Sequence, residues 1–401
     1  MKAVVYHGVG DIRLEEVKEP KLQKDTDAIV RLTSSAICGT DLHIIRGTMG
    51  GMKSGTILGH EGVGIVEEVG KQVRNFRPGD RVVIPSTIAC GYCSYCRAGY
   101  FAQCDEANPK GKHAGTAFFG GPASTGPIQG LQAELARVPF AHVNLVRVPE
   151  GVSDDEAILV SDIFPTGYFG ADLAEIKHGD TVAVFGCGPV GAFAIASAFL
   201  HGAGRVLAVD AIPARLDMAR DLGAEVIHFN REDPTKVILD LTGDIGVDCA
   251  IDAVGIDAEP AEKGPASAES RKQKPEFEEE VKKAAPKQDE DWQPGHAPSQ
   301  ALRWAVKSLA KAGTLSVIGV YPETFNGFPF GEATMKNLRI NGGNCHHRKY
   351  IPKLLAMIRN RSVDLGWILT NAEPLSSAVE AYEAFNRRQA GWIKVKLEPA
   401  A

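Results

Sequence analysis

The stretch from Cys38 to Glu61 carries side chains that could bind a metal ion. It contains Cys38-Gly-Thr-Asp-Leu-His43 and, further on, Gly59-His60-Glu61. Together these segments supply a soft thiolate, imidazoles and carboxylates, among glycines that let the backbone turn tightly. Such a donor set suits a zinc ion that keeps one coordination position open for a substrate. Taken singly, Cys38 could be a small buried hydrophobic residue and His60 an ordinary turn residue.

A second cluster consists of four of the chain's eight cysteines, namely Cys90, Cys93, Cys96 and Cys104. In a long chain of cytosolic type, clustered cysteines favour metal binding over disulfides. Four thiolates this close together can form a closed tetrahedral zinc site. A closed site has no position for a substrate, so we predict a structural role for it. The alternative is a loop of free thiols, which would be prone to oxidation.

A third pattern predicts a dinucleotide-binding turn. An apolar strand at 181–185 runs into a G-x-G-x-x-G motif at 186–191 and then into an alanine-rich helix. The glycines permit a tight turn and the close approach of a pyrophosphate to the helix N-terminus. The residues predicted to contact the cofactor at this turn are Gly186, Gly188, Pro189, Val190 and Gly191. The alternative is a glycine-rich turn without a ligand.

The acidic residue that such a turn requires is also present. A second apolar strand ends at Asp210, where a carboxylate can bind the adenosine ribose hydroxyls. Asp210 favours NAD over NADP, because a carboxylate repels a 2′-phosphate. Arg215 lies close by in the sequence and could weaken that preference.

Two kinds of secondary structure must position these motifs. Short alternating runs, such as 28–33 and 64–69, predict an irregular antiparallel β domain in the first part of the chain. From about residue 154, apolar strands alternate with helices, which predicts a doubly wound parallel sheet. The last segment is too small to stand alone. We therefore predict an α/β protein with a β-rich domain at 1–153, a dinucleotide-binding domain at 154–343 and a return segment at 344–401.

Length and composition exclude several classes of protein. A chain of 401 residues is expected to form two domains. A formal net charge of −6, without a basic stripe, argues against nucleic-acid or anionic-membrane binding. No apolar run approaches the roughly 18 residues that span a bilayer, and the N-terminus has no signal-peptide form. We therefore expect a cytoplasmic protein.

Residues 256–298 interrupt the alternation of strands and helices. They are rich in Pro, Lys and Glu, a composition that buries little apolar area. We therefore predict a solvated insertion with one short helix. The alternative is a lid or arm that covers the cofactor or holds a neighbouring subunit, because long loops inside compact domains are often functional.

These motifs resemble those of the zinc-containing medium-chain alcohol dehydrogenases. The resemblance covers nearly the whole chain apart from the insertion. Its most specific parts are Cys38-Gly-Thr-Asp-x-His43, Gly59-His60-Glu61 with Gly64 and Gly70, the four-cysteine lobe, and Gly186-x-Gly-x-x-Gly191. It implies a GroES-like catalytic domain and a Rossmann domain, with the active site in the cleft between them. It also implies that the C-terminal segment rejoins the catalytic domain.

The resemblance places three ligands of a catalytic zinc at Cys38, His60 and Asp162, in addition to the structural zinc of the cysteine lobe. The family commonly has a cysteine at the third position, but Asp is a competent zinc ligand. Alternatively, Asp162 could cap a helix that Pro165 helps to start. With Asp at this position, the motif resembles that of the glutathione-independent formaldehyde dehydrogenase branch. That branch is known for retaining its NAD and for an extra loop over it.

The resemblance also implies roles for residues around that zinc. Thr40 and His43 match the family's proton relay, and Asp41 would orient the His60 imidazole. Glu61 would bind the zinc transiently when water or substrate exchanges, or would form a simple salt bridge.

Further residues are placed near the cofactor or the substrate. Thr166 matches the residue that contacts the nicotinamide, and Lys394 lies where the family has a basic residue on the pyrophosphate. A surface lysine is the alternative for Lys394. The run 346–348 is a candidate for a cofactor or substrate contact. Phe118 and Phe119 are candidates for lining the substrate pocket, with core packing as the alternative.

The resemblance predicts a zinc-dependent alcohol dehydrogenase. It would transfer hydride between NAD and a small alcohol or aldehyde, with formaldehyde hydrate among the options. The alternatives are an aldehyde dismutase with tightly bound NAD, and a zinc- and NAD-binding sensor without turnover. The complete relay of Thr40 and His43 argues against the sensor. The family commonly forms dimers or tetramers, and we expect a homotetramer.

Overall fold

The computed structural model describes residues 1–287 and 289–399 and divides into two compact units. Unit 1 consists of Met1–Pro165, Asp289–Trp292 and Asn344–Ala401, and unit 2 consists of Thr166–Gln288 and Gln293–Gly343. Among the residues that the structure describes, no helix combines the length and the apolar character that crossing a membrane requires.

Sixteen strands and thirteen α-helices are defined in the described chain. The strands are β1 (Lys2–Gly8), β2 (Asp11–Glu16), β3 (Ala28–Ile37), β4 (Thr56–Ile57), β5 (Gly62–Val69), β6 (Arg81–Ile84), β7 (Leu135–Val138), β8 (Val146–Arg147), β9 (Thr181–Phe185), β10 (Arg205–Asp210), β11 (Glu225–His228), β12 (Val247–Asp252), β13 (Leu309–Val317), β14 (Arg339–Gly342), β15 (Asn371–Pro374) and β16 (Val395–Glu398). The helices are α1 (Gly39–Ile45), α2 (Ser94–Arg97), α3 (Ala141–Asn144), α4 (Asp154–Leu159), α5 (Ile163–Leu173), α6 (Pro189–Leu200), α7 (Pro213–Asp221), α8 (Pro234–Leu241), α9 (Ser267–Ala284), α10 (Gln300–Ser308), α11 (Phe330–Met335), α12 (His347–Arg359) and α13 (Ala378–Asn386).

Unit 1 is built on a seven-stranded sheet in the order β15-β16-β3-β5-β6-β8, with β7 paired to β3. All neighbours in this sheet are antiparallel except β15 and β16. A smaller sheet has the order β2-β1-β4. The apolar side of α1, with Leu42, Ile44 and Ile45, lies in a buried cluster with side chains of β1 and α13. The irregular antiparallel fold that the sequence predicted is therefore confirmed, and α1 is anchored beside it.

Helix α4 belongs to unit 1, although we predicted that the second domain would begin at this helix. Its predicted capping box is present, with Ser153 Oγ accepting from Glu156 N at 3.2 Å. The Asp154 carboxylate accepts hydrogen bonds at 2.6 Å from both Thr33 Oγ1 of β3 and Arg81 Nε of β6. These contacts tie the first turn of α4 to the antiparallel sheet.

Unit 2 contains a parallel six-stranded sheet in the order β11-β10-β9-β12-β13-β14. Its central strand β9 is apolar, and Val182 to Phe185 are all buried. Numbered within the unit, this order is 3-2-1-4-5-6, the arrangement of a dinucleotide-binding Rossmann sheet. The prediction of a doubly wound parallel sheet is confirmed.

The prediction of a solvated insertion with one short helix is wrong. Helix α9 extends over 18 residues, and Phe277 on it is buried. The helix packs against α10, where Ser270 Oγ donates to Gln300 Oε1 at 3.1 Å and Arg303 Nη2 donates to Glu276 Oε2 at 2.6 Å. Further along, Trp292 is buried in the apolar cluster of unit 1. Overall composition misled us, because a few apolar residues at helical spacing suffice to bury one face.

Candidate metal centres and dinucleotide turn

Four buried side chains converge in unit 1: Cys38, His60, Glu61 and Asp162. One donor atom from each lies within 4.8 Å of the others. Cys38 precedes α1, His60 and Glu61 precede β5, and Asp162 precedes α5. Oδ2 of Asp162 lies 3.4 Å from both Cys38 Sγ and His60 Nε2. The fold therefore brings together the three ligands that the family resemblance implied, although Asp162 is 124 residues from Cys38 in the sequence.

The electrostatics of this cluster fit a divalent cation. Burial raises the pKa of the Cys38 thiol, and the Asp162 charge raises it further. Burial also works against ionisation of Asp162, but hydrogen bonds from His347 and His60 outweigh it and hold the pKa of that carboxyl well below its usual range. Burial lowers the pKa of His60, yet the charges of Asp41 and Cys38 raise it well above the usual value. The raised pKa values of Cys38 and His60 mean that protons occupy these two donors beside the Asp162 carboxylate, and a divalent cation can replace those protons.

Buried polar atoms around the cluster support the same interpretation. Within the described chain, Glu61 Oε2, His60 Nδ1 and Asp41 Oδ1 have no hydrogen-bond partner. The last two atoms are 3.3 Å apart but are not aligned for a hydrogen bond. Buried polar groups are normally satisfied, and an ion at the cluster would provide the missing partner of Glu61 Oε2. Sulfur, nitrogen and oxygen donors in this number suit zinc.

A chain of buried polar side chains supports Asp41 from behind. Asp41 Oδ2 accepts from Cys38 N at 3.0 Å and from Gln132 Nε2 at 3.4 Å. Gln132 Oε1 in turn accepts from Tyr382 Oη at 2.8 Å. We did not predict Gln132 or Tyr382 from the sequence, and no local motif marks them. The predicted role of Asp41 in orienting His60 stays a prediction.

Lys394 is fully buried, so the alternative of a surface lysine is wrong. Its Nζ donates to Glu61 Oε1 at 2.5 Å and to the Ile37 carbonyl at 3.0 Å. Burial raises the pKa of Glu61 to about 7, although the Lys394 charge lowers it. The salt bridge considered for Glu61 is therefore present. Contact of Lys394 with a pyrophosphate stays a prediction, as does transient zinc binding by Glu61.

The proposed relay residues lie on α1. Thr40 is half-buried and His43 is buried, with His43 Nδ1 3.1 Å from Thr48 Oγ1. Their role in proton transfer stays a prediction. Of the two phenylalanines, Phe119 is fully buried in the apolar core, so core packing is the correct interpretation for it. Phe118 is half-buried, and its ring meets the His60 ring edge-on, with ring centroids 6.1 Å apart.

The run 346–348 contains a contact to the centre that we did not foresee. His347 Nε2 lies 2.7 Å from Asp162 Oδ1, and His347 Nδ1 lies 3.0 Å from Thr87 Oγ1. His346 faces the cysteine lobe, where its Nδ1 accepts from Ala102 N at 3.2 Å. The sequence signal was the unusual His-His pair, but its spacing could not indicate which side chains it would meet.

The four lobe cysteines converge as predicted, with their sulfurs within 4.8 Å of one another. Backbone N–H groups donate to these sulfurs, from Cys90 to Cys104 at 3.2 Å, from Cys93 to Cys90 at 3.3 Å and from Ala107 to Cys104 at 3.3 Å. A hydrogen bond from Cys96 is the main cause that lowers the pKa of Cys104 to about 5. Such N–H donors favour thiolates, so the lobe fits a closed zinc site.

The glycine turn of unit 2 has the shape that the motif predicts. Gly186 has φ +88°, a backbone conformation that favours glycine. A Cβ on Gly191 would lie 1.8 Å from the Gly186 carbonyl oxygen, so a side chain is excluded there. A Cβ on Gly188 would lie no closer than 3.6 Å to its nearest neighbour, Arg215 Nη1. Pro189 and Val190 begin α6 directly after this turn. Cofactor contacts by these residues stay predictions.

Asp210 ends β10 beside this turn, and its carboxylate organises the backbone around it. Oδ2 accepts from Cys187 N at 2.8 Å, and Oδ1 accepts from Ala211 N at 2.7 Å and Ile212 N at 2.9 Å. Arg215 Nη1 lies 4.0 Å from Oδ2. Thr166 is half-buried on α5. The roles of Asp210, Arg215 and Thr166 in binding NAD stay predictions.

Comparisons with known proteins agree with this architecture. The family model for the alcohol dehydrogenase GroES-like domain matches residues 24–150, and the model for zinc-binding dehydrogenases matches residues 189–261. The chain is 36% identical over 403 residues to an uncharacterized zinc-type alcohol dehydrogenase-like protein, AdhB, of Bacillus subtilis (strain 168), and the match covers 100% of both chains.

Two further similarities bear on the metal and the substrate. The alcohol dehydrogenase TADH from Thermus sp. ATN1 has a similar structure, with a TM-score of 0.79, 34% identity and 99% coverage of both chains. The glutathione-independent formaldehyde dehydrogenase of Pseudomonas aeruginosa (strain LESB58) is 39% identical over 268 residues, which are 64% of this chain and 66% of that protein.

Proposed function

The chain belongs to the zinc-type alcohol dehydrogenases of the medium-chain dehydrogenase family and is an oxidoreductase, and from this premise we propose its reaction in more detail. The proposed reaction is hydride transfer between NAD and a small alcohol or aldehyde, with Cys38, His60 and Asp162 as ligands of the catalytic zinc. The observation that carries this proposal is the buried convergence of those three side chains on one point. The cysteine lobe would hold a second zinc.

A zinc ion held by three protein ligands acts as a Lewis acid and lowers the pKa of an alcohol towards neutrality. In the proposed mechanism, Cys38 and Asp162 provide two anionic donors and His60 a neutral one. Thr40 and His43, both on α1, would take the alcohol proton towards solvent. A positioned relay of this kind typically contributes about 10²- to 10⁴-fold in rate. The Lys394 ammonium would balance the charge of Glu61 beside the zinc.

The proposed cofactor is NAD, bound at the glycine turn. The geometry of Gly186 and Gly191 supports close approach of a pyrophosphate to the start of α6. The Asp210 carboxylate supports NAD rather than NADP, because it would repel a 2′-phosphate. Arg215, at 4.0 Å from that carboxylate, works in the opposite direction. Comparison of turnover with the two cofactors tests this preference.

We propose formaldehyde, as its hydrate, among the substrates. Asp at the third ligand position and the similarity to the Pseudomonas formaldehyde dehydrogenase support this substrate class. A dismutase that recycles bound NAD is the second candidate, because the resemblance to the formaldehyde dehydrogenase branch implies retention of NAD. A cytoplasmic location and a homotetrameric assembly are proposed from the family resemblance. Light scattering of the purified protein tests the assembly.

The test of the reaction uses zinc-replete protein, NAD and a panel of small primary alcohols and formaldehyde. We expect formation of reduced nicotinamide, detected by its absorbance. Asp162→Ala should lose this activity and one of two zinc ions per chain, because the cysteine lobe keeps its own. Asp155→Ala is the matched control, since this carboxylate on α4 is 58% exposed.

The outcomes separate the proposals. Turnover without added NAD would favour the dismutase. No turnover by zinc-replete protein with any alcohol or aldehyde would contradict the proposed reaction. Retention of both zinc ions in Asp162→Ala would show that Asp162 is not the third ligand.

A further inference from the structure

The two carboxylate oxygens of Asp162 meet different partners. Oδ2 is 3.4 Å from Cys38 Sγ and 3.4 Å from His60 Nε2, so it faces the metal-binding cluster. Oδ1 is 2.7 Å from Nε2 of His347, a residue outside that cluster. All these side chains are buried. Oδ2 is therefore the oxygen placed to bind a metal ion at the cluster.

His347 is itself held at both ring nitrogens. Nε2 contacts Asp162 and must carry a proton, because an ionised carboxylate can only accept a hydrogen bond. Nδ1 lies 3.0 Å from Thr87 Oγ1, and Thr87 follows β6 in the antiparallel sheet. These two contacts define both the plane and the rotation of the ring. The ring therefore links Thr87, beside the sheet, to the Asp162 carboxylate.

The preceding histidine provides a contrast. His346 Nδ1 accepts from Ala102 N in the 3-10 turn Phe101–Gln103 before Cys104, and its ring meets the Tyr100 ring edge-on, with ring centroids 5.5 Å apart. The two adjacent histidines at the start of α12 thus contact different parts of unit 1. A variant at His346 is therefore a matched control for the same change at His347.

We propose that His347 is a positioning residue that holds Asp162 as a one-oxygen ligand of the catalytic zinc. The proposal rests on the proposed role of Asp162 as the third ligand. A carboxylate without a partner on Oδ1 can rotate, or can bind a metal ion through both oxygens. The hydrogen bond to Oδ1 prevents both. It keeps the protein ligands at three donor atoms, which leaves a coordination position for substrate.

The experiment uses two variants that divide the contacts of His347. In His347→Gln the amide N–H reaches as far as Nε2 and can still donate to Asp162. In His347→Asn the amide lies near the place of Nδ1 and can meet only Thr87. The affinity of the catalytic zinc is measured by competition with a chelator, and the zinc of the cysteine lobe serves as an internal standard.

We expect His347→Asn and His347→Ala to weaken catalytic zinc binding by about 10- to 100-fold, the usual effect of removing a partner of a metal ligand. His347→Gln and the control His346→Asn should stay close to the parent protein. With Co²⁺ at the catalytic site, His347→Asn should also give weaker visible absorption bands. Binding through both oxygens raises the coordination number, and higher coordination lowers the intensity of these bands.

Each possible failure is distinguishable. Equal affinities for His347→Gln and His347→Asn would overturn the proposal, because the hydrogen bond to Asp162 would then not matter. Unchanged affinity in His347→Ala, together with loss of one zinc in Asp162→Ala, would overturn it and leave the proposed function intact. Retention of both zinc ions in Asp162→Ala would show that Asp162 is not the third ligand and would overturn this proposal, whereas the proposed reaction itself is tested separately by turnover.

Discussion

The Nζ atom of Lys394 lies 2.5 Å from Oε1 of Glu61, and neither side chain is exposed to solvent. The two residues are 333 positions apart in the sequence. Lys394 directly precedes β16, which pairs with β3 next to Cys38. The C-terminal segment therefore supplies the cation that compensates Glu61 beside the candidate zinc ligands.

This ion pair predicts a large effect of single substitutions. Lys394→Met would leave the Glu61 carboxylate buried without a partner, which typically costs about 3–5 kcal/mol. The combined change Lys394→Met with Glu61→Gln should recover much of that loss, because neither residue of the pair then carries a charge. Urea unfolding of the four proteins of this double-mutant cycle measures the coupling. Equal losses in the single and double variants would mean that the charge is not the cause.

The glycine turn predicts different effects for two similar substitutions. Gly191→Ala would place a Cβ 1.8 Å from the Gly186 carbonyl oxygen, so the turn must shift. We expect unit 2 to lose about 1–3 kcal/mol of stability, as in other overpacked sites, and to bind NAD poorly. Gly188→Ala meets no atom closer than 3.6 Å and should fold normally.

Weaker NAD binding by Gly188→Ala would then mean that the added methyl group obstructs the pyrophosphate, because the turn itself is intact. Calorimetric titration with NAD and thermal unfolding measure the two effects separately. Normal stability of Gly191→Ala would contradict the geometry of the turn.

The lowered pKa of His346 predicts that the stability of the protein depends on pH. Burial, together with smaller contributions from the charges of Lys349 and His347, lowers its pKa from 6.5 to about 4. The unfolded chain binds a proton at higher pH than the folded chain does. The contribution of His346 is therefore fully present above pH 6.5 and is lost as the pH falls towards 4.

His346→Asn keeps an acceptor for Ala102 N and cannot titrate. As the pH falls from neutral to acidic, the free energy of unfolding of this variant should decrease on the order of 1–2 kcal/mol less than that of the parent protein. Solvent screening reduces the full effect. Urea unfolding across this range measures the difference. Parallel pH profiles for the two proteins would show that His346 does not cause the loss.

The burial of Trp292 indicates that this part of the insertion belongs to the folded core. Its side chain is 7% exposed and lies in the cluster that contains Val4 and Tyr6. Trp292→Ala should cost about 3–5 kcal/mol, as for other large buried residues. Met335→Ala, at a side chain that is 86% exposed, is the control and should change stability little. A solvated insertion would instead predict no effect of Trp292→Ala in thermal or urea unfolding.

Which parts could be predicted from sequence depends on how far apart the contacting residues are. The cysteine lobe spans 15 positions and the glycine turn six, so short loops impose most of their geometry. The alternation of strands and helices likewise indicated a Rossmann sheet, since each element shows its own period. The length and burial of helix α9 were underestimated because charged residues dominate its composition, whereas its burial depends on single residues such as Phe277.

The amino-acid sequence by itself determined the donor types, the two metal motifs, the dinucleotide turn and the order of the elements, because each is encoded by neighbouring residues. Only the tertiary structure decided which distant side chains complete the site. His347 meets Asp162 across 185 positions, and Tyr382 meets Gln132 across 250. Such contacts have no local signature, since strand pairing and core packing, rather than spacing along the chain, bring these polar groups to one buried place.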